Sequence, residues 1–390
     1  MRTRPLLPLS AAVALLGLAA ALLASGSPRA RDLGVPFDGT PGPLNAITDV
    51  RGVEVGHATI IRGEGPRRVG QGPVRTGVTA VLPRGANSNS DPVFAGWFSL
   101  NGNGEMTGTT WVEESGFLEG PVMITNTHSV GTVRDSVIAW RVREGDPDQT
   151  GYWWSLPVVA ETWDGELNDI NGFHVKPEHV FEALSSASGG PVAEGSVGGG
   201  TGMICNGFKG GIGTSSRRLP EKAGGFTVGV LVQCNYGRKA DLRIAGVPVG
   251  REIVGPGARD DDSGSIIIVV ATDAPLLPHQ LKRLARRATL GLGRDGSISG
   301  NGSGDIFIAF STANSGAART EGLASLTMLP NDRMNPLFEA TVRATEEAIV
   351  NAMVAARTMT GADGFTVQGL PHDELVRILK KYNRLVEPQH

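Results

Sequence analysis

The sequence predicts an α+β fold, on three observations. Short apolar runs bounded by turns recur at 52–62, 75–83, 92–100, 119–126, 192–206, 225–235, 241–249, 265–273 and 305–312, so strands are numerous. Helical patterns number about five and do not alternate one for one with those runs, which favours α+β layers over a doubly wound parallel sheet. Glycine accounts for 55 of 390 residues, about twice the usual ~7%. These glycines show no fibrous period and gather in groups such as 198–200 and 209–213. They imply tight turns and close backbone approaches. No repeat of 20–50 residues and no long linker is visible, so one structural domain is expected.

The elements follow in order. Arg2, Arg4, an apolar run over 11–24 and the small residues Ala24-Ser25-Gly26 read as a secretory signal over 1–26. The run is shorter than the ~20 residues of a spanning helix, although an uncleaved anchor remains an alternative. Thr3 separates the arginines, so this is not a twin-arginine signal. The expected location is periplasmic or secreted, without a stable membrane span after signal removal. Residues 27–44, rich in Pro and Gly, form an arm. Strands follow to 126, and Asn126-Thr127-His128-Ser129 carries helix-start chemistry. Val133, Ile138, Ala139 and Val142 then recur at helical spacing. Residues 155–175 read as irregular and polar, with Glu161, Asp164, Glu166, Asn168, Asp169 and Asn171 close together. Further helices are predicted at Pro177–Ser185, at 278–292 (basic), at 334–358 (alanine-rich, apolar on one face) and at 372–382.

Composition excludes several classes. Hydrophobic residues make up 40% and charged residues 19%, enough for a sizeable core. The formal charge of −3 becomes −5 once the two signal arginines leave, which argues against nucleic acid as a partner. There is no His-Glu-x-x-His, no cysteine-pair zinc spacing and no Gly-x-Ser-x-Gly elbow, so no metal or cofactor is expected. Gly202 to Lys209 nearly spells a phosphate loop, but Phe208 interrupts it and strand–turn–strand is the better reading. Cys205 and Cys234 each sit in an apolar run. Free buried cysteine is favoured over a pair.

Chemistry gathers where RDDDSGS (259–265) runs into Ile-Ile-Ile-Val-Val. A serine hydroxyl is a weak nucleophile unless a base takes its proton. A chain end supplies one, because a free α-amine titrates near ~8. Ser265 would reach that state if the preceding bond were cut, and Gly264 permits the backbone geometry required. An ordinary loop-to-strand turn explains the same residues. Ser303 and Asp305, two apart at the start of a strand, share a face and suit a proton relay or a turn cap. Asn235 closes an apolar strand before Gly237, where it can donate to an oxyanion or simply form a turn. Glu161 follows an apolar run. A buried carboxylate wants a cationic partner, either a substrate ammonium or one of 36 lysines and arginines.

Long segments settle between these readings. WVEESGFLEGPVMITNTHSVG, LPVVAETWDGELNDING, EGSVGGGTGMICNGFKGGIGTSSR, GSIIIVVATDAPLLPHQLKRLARRATLGLGR and SGNGSGDIFIAFSTAN resemble the L-aminopeptidase/D-esterase family, which includes the β-peptidyl aminopeptidases. The resemblance spans about 45–360. It implies an α/β/β/α sandwich similar to the ornithine acetyltransferases, and an inactive precursor that cleaves itself between Gly264 and Ser265. The products would be a large chain, 27–264, and a small chain, 265–390, within one structural domain and assembled as a homo-oligomer of such units. By resemblance Ser265 is the nucleophile, Ser303 and Asp305 the relay, Asn235 the oxyanion donor and Glu161 the receiver of the substrate's free amine. Many relatives carry Glu at the position of Asp305. A tyrosine implicated in some members falls at Trp163, so its role is absent or held elsewhere, with Tyr152 as one option. Trp163 would then shape the substrate pocket. The implied activity is release of L-, D- or β-amino acids from short peptides, amides or esters. An amine acyltransferase and a self-cleaving non-enzymatic binding protein remain alternatives.

Overall fold

Ile266 to Thr272 are buried without exception, and their alternation explains the whole architecture. Ile266, Ile268 and Val270 enter one core, while Ile267, Val269 and Ala271 enter another. A strand buried on both faces reads as a continuous apolar run, so this segment must be the central strand of a layered molecule. The protein is described by a computed structural model covering residues 27–144, 154–259, 261 and 263–387. The expected signal, Tyr152, Asp260 and Asp262 lie outside the described residues.

In chain order the elements begin with β1 (Glu54–Arg62), β2 (Val74–Leu82), β3 (Val93–Gly102), α1 (Thr109–Ser115), β4 (Phe117–Leu118), β5 (Val122–Asn126), α2 (Val130–Glu144), β6 (Val158–Thr162) and α3 (Pro177–Ser185). Then follow β7 (Ile204–Cys205), β8 (Phe208–Lys209), β9 (Gly211–Arg218), β10 (Thr227–Asn235), the single turn α4 (Val249–Glu252), β11 (Ser263–Thr272) and α5 (Pro278–Arg294). The chain closes with β12 (Gly302–Ser311), α6 (Asn335–Ala355), the short pair β13 (Met359–Thr360) and β14 (Thr366–Val367), and α7 (His372–Lys381).

Four strands form one sheet in the order β1-β2-β5-β6, and six form another in the order β4-β3-β12-β11-β10-β9. The inner faces meet around Ile267, Val269, Ile306 and Ile308 on one side and Val122, Ile124, Val158 and Ala160 on the other. Outside the larger sheet, Leu281, Leu284 and Ala288 of α5 and Ala344, Ala348 and Ala352 of α6 cover Ile266, Ile268 and Val270. Outside the smaller sheet, Val133 and Val137 of α2 and Val180 and Leu184 of α3 cover Met123 and Val159. The predicted α+β class and helix–sheet–sheet–helix layering are therefore present. Gly213 shows why small residues recur: a Cβ there would lie 2.0 Å from the Ala348 carbonyl, so α6 rests directly on β9.

Several local expectations fail. Residues 192–206 and 241–249 are mostly turns, with only β7 and two isolated bridges, Gly195 to Ile212 and Ile244 to Val247, in strand-like pairing. Their apolar side chains are buried by packing rather than by a ladder. The irregular reading of 155–175 hides β6, and the glycine cluster at 209–213 opens β9. Helix α1 had no sequence forecast. Cys205 and Cys234 form a disulfide, against the expectation of free thiols, because β7 comes alongside β10 with Cα atoms 5.6 Å apart.

Candidate active site

Four strand ends meet at one edge of the sandwich. Strands β11 and β12 are parallel and start side by side, pairing Gly264 with Ser303 and Ser265 with Gly304. Antiparallel β10 ends opposite them, with Asn235 facing Ser265. The facing sheet contributes Glu161 near the end of β6. These ends surround a cavity of about 590 Å³, lined among others by Ser265, Gly264, Glu161, Trp163, Thr127 and Arg259. Residues as far apart in the sequence as Gly102 and Gly302 thus become neighbours.

Ser265 is buried, and its hydroxyl accepts a hydrogen bond from Gly304 N at 3.1 Å. Gly264 has φ +113°. A Cβ at this position would lie 1.9 Å from the Asn235 carbonyl oxygen. Only glycine fits such a backbone without displacing β10. On either side of Gly304, the buried Ser303 Oγ donates to Asp305 Oδ1 at 2.7 Å. The two side chains share a face as their spacing predicts. Asn101 Oδ1 receives Asp305 N at 2.8 Å, and its Nδ2 donates to the carbonyls of Ser299 and Gly300, bracing this loop.

The Asn235 amide is held at both ends. Its Oδ1 accepts from Ile204 N at 2.8 Å and from Arg259 Nη2 at 3.3 Å, while Nδ2 donates to the Trp163 carbonyl at 2.8 Å. An amide nitrogen has two hydrogens, so one is left beyond the bond to Trp163, and Asn235 itself is fully buried.

Glu161 is 3% exposed. Its Oε1 accepts from Glu105 N at 3.0 Å, and Oε2 accepts from the Thr127 hydroxyl. Burial pushes its carboxyl above the ordinary range, against the pull of these two donors. Among the described residues no lysine or arginine pairs with it. A carboxylate removed from water and given no cation is poised for one supplied from outside.

Trp163 is 40% exposed and walls the cavity, its ring edge-on to His128 at 5.7 Å. His128 stacks on Phe173 in turn. Sequence reasoning missed Arg259, Glu166, Glu105 and Thr127 as site residues. The crowding of acids after residue 160 was the available signal for Glu166, and Thr127 was visible only as part of a helix start.

The layered α+β fold, and a cavity shared by a serine at a strand edge and an uncompensated carboxylate, are those of a serine-type aminopeptidase. Residues 45–367 match Peptidase family S58, and the chain belongs to that family. It is 58% identical over 384 residues to the β-peptidyl aminopeptidase BapA of Sphingosinicella microcystinivorans, covering 94% of this chain and 96% of that one. The solved structure of the L-aminopeptidase D-Ala-esterase/amidase from Ochrobactrum anthropi, described as a variant among the Ntn hydrolase fold, is similar with a TM-score of 0.85. It has 49% identity and covers 92% of this chain and 100% of its own. A Burkholderia β-aminopeptidase gives a TM-score of 0.84 at 48% identity, over 91% and 99% of the two chains. The protein is an S58 aminopeptidase, a hydrolase of peptide substrates.

Proposed function

We propose that this aminopeptidase is made as a precursor that cuts itself at Gly264–Ser265 and then releases N-terminal residues, β-amino acids included, from short peptides and amides. The observation that carries the reading is Glu161, buried beside Thr127 with no lysine or arginine paired to it among the described residues, in the same cavity as Ser265.

In the precursor, Ser265 Oγ attacks the Gly264 carbonyl carbon. The C–N bond breaks, the hydroxyl proton passes to the Ser265 nitrogen, and the chain is left as an ester. Water cleaves the ester, giving a Gly264 carboxylate and a Ser265 with a free α-amine. Gly264, at positive φ and with no side chain, leaves its carbonyl carbon unscreened. The mature enzyme comprises chains 27–264 and 265–390.

Turnover repeats the chemistry on a second carbonyl. Glu161 binds the substrate's ammonium and sets its first carbonyl against Ser265. The remaining Asn235 amide hydrogen serves the oxyanion. Ser303 and Asp305 move the proton from nucleophile to leaving amine, and water frees the acyl group. Trp163 shapes the pocket where other members place a tyrosine. The site roles, export through a signal over 1–26, and assembly of these units into homo-oligomers belong to the same reading.

Denaturing electrophoresis with N-terminal sequencing tests it. Purified protein should give two fragments, the smaller beginning Ser-Ile-Ile-Ile. Ser265→Ala should remain one chain and be inactive on aminoacyl amides. Activity from a single intact chain would overturn the proposal.

A further inference from the structure

The guanidinium of Arg259 lies across the site with every N–H engaged. Its side chain is 6% exposed. Nε and Nη2 donate to the two oxygens of Glu166, each at 2.7 Å. Nη2 also reaches Asn235 Oδ1 at 3.3 Å, and Nη1 reaches the carbonyls of Asn235 and Ser263, both at 3.4 Å. A guanidinium has five donors in a fixed plane, and five contacts are made. The same Nη1 lies 2.8 Å from where a Cβ on Gly264 would stand.

We infer that Arg259, held by Glu166, is a positioning residue for both steps, acting through Asn235 and through the backbone before the scissile bond. This rests on Ser265 being the nucleophile. Arg259 and Ile204 N together fill both acceptor directions of Asn235 Oδ1. Were the amide to flip, its NH₂ would meet two donors. The flip is therefore blocked, and Nδ2 stays on the side where it can donate to an oxyanion. A cation on Oδ1 also polarises the amide and sharpens its donor end. The contact to the Ser263 carbonyl fixes the chain one residue before the scissile glycine. Lysine cannot replace this device, because three donors on a rotating ammonium cannot span Glu166, Asn235 and Ser263 in one plane.

The alternative is a staple: the bridge merely ties the 259 and 166 segments together. Full-length Arg259→Met, Arg259→Lys and Glu166→Gln separate the two. For each, the rate of appearance of the Ser265 fragment is followed on gels. Values of kcat and KM on an aminoacyl anilide are then measured, normalised to the processed fraction, alongside the Tm. Positioning predicts that Arg259→Met slows processing and lowers kcat at least about tenfold, with KM within about twofold. Arg259→Lys should not rescue kcat, and Glu166→Gln, which keeps the guanidinium but loosens it, should fall between. Where Arg259→Met yields no soluble protein, the other two variants decide. Wild-type kcat in the processed fraction of both, whatever the Tm, overturns the inference. Failure of the underlying reading shows separately, as activity in Ser265→Ala.

Discussion

Replacing Glu161 by glutamine isolates the charge that selects free amino termini. The side chains are nearly isosteric. The introduced amide would keep its oxygen on Glu105 N, and the Thr127 hydroxyl can rotate to accept from the new NH₂. Folding and self-cleavage should therefore survive. The lost interaction is a charge-assisted hydrogen bond to the substrate ammonium, about 1.5–3 kcal/mol. At 1.36 kcal/mol per decade, kcat/KM should fall by about 10- to 150-fold. Most of the fall should lie in KM, since the ammonium is bound in ground state and transition state alike. The pH profile supplies a sign. Burial raises the Glu161 carboxyl, so wild-type kcat/KM should decline as pH falls through that raised value and the carboxylate takes a proton. Glu161→Gln has no proton to gain there and should lack this acid limb. Steady-state hydrolysis of an aminoacyl anilide by processed protein, from acid to neutral pH, checks both. An unchanged kcat/KM, or the same acid limb in the variant, would refute the assignment of Glu161.

Three further outcomes are expected. Gly264→Ala places a Cβ 1.9 Å from the Asn235 carbonyl; shifting the strand by about 1 Å should slow self-cleavage by about 10²-fold, and wild-type processing on a gel time course would contradict the geometry. Asp305→Asn leaves Ser303 an acceptor but removes the carboxylate, so processing and turnover should both drop by about 10²-fold or more; an effect on neither would remove the pair from the relay. Asp164→Asn sets an NH₂ against Asn126 or Asn168, whose amides donate to its two oxygens, at a cost of about 1–3 kcal/mol. Burial raises the Asp164 carboxyl from 3.8 to about 6, so its contribution is full below the unfolded value and lost as pH climbs through about 6. Wild type should then lose on the order of 3 kcal/mol relative to the variant across that window. Urea midpoints should show the variant's deficit closing or reversing from acid to neutral pH, and a constant gap would count against the shift.

The strand-rich layering was legible because β11 and β12 are buried on both faces, and that burial leaves a continuous apolar run. Ser303 and Asp305 were legible as a pair because strand period 2 fixes their common face. The apolar stretches at 192–206 and 241–249 were misread for the converse reason: packing against neighbours buries side chains without a ladder. Strand β6 was hidden because the acids after residue 160 outweigh its five residues. The disulfide was missed because two short runs, 29 residues apart, give no sign that β7 and β10 touch.

What the sequence determined by itself is local. It set the burial pattern of each strand, the glycine before Ser265, and the residue types at each strand end, since these depend only on side-chain period and backbone sterics. Which strand ends meet was decided by the tertiary structure. Parallel pairing of β11 with β12 and the stacking of two sheets bring Ser265, Glu161 and Arg259 to one cavity, and antiparallel β10 sets Asn235 opposite Ser265. Whether Glu161 finds a cation is likewise a question of three-dimensional neighbours, because pairing energy depends on distance and desolvation rather than on position along the chain.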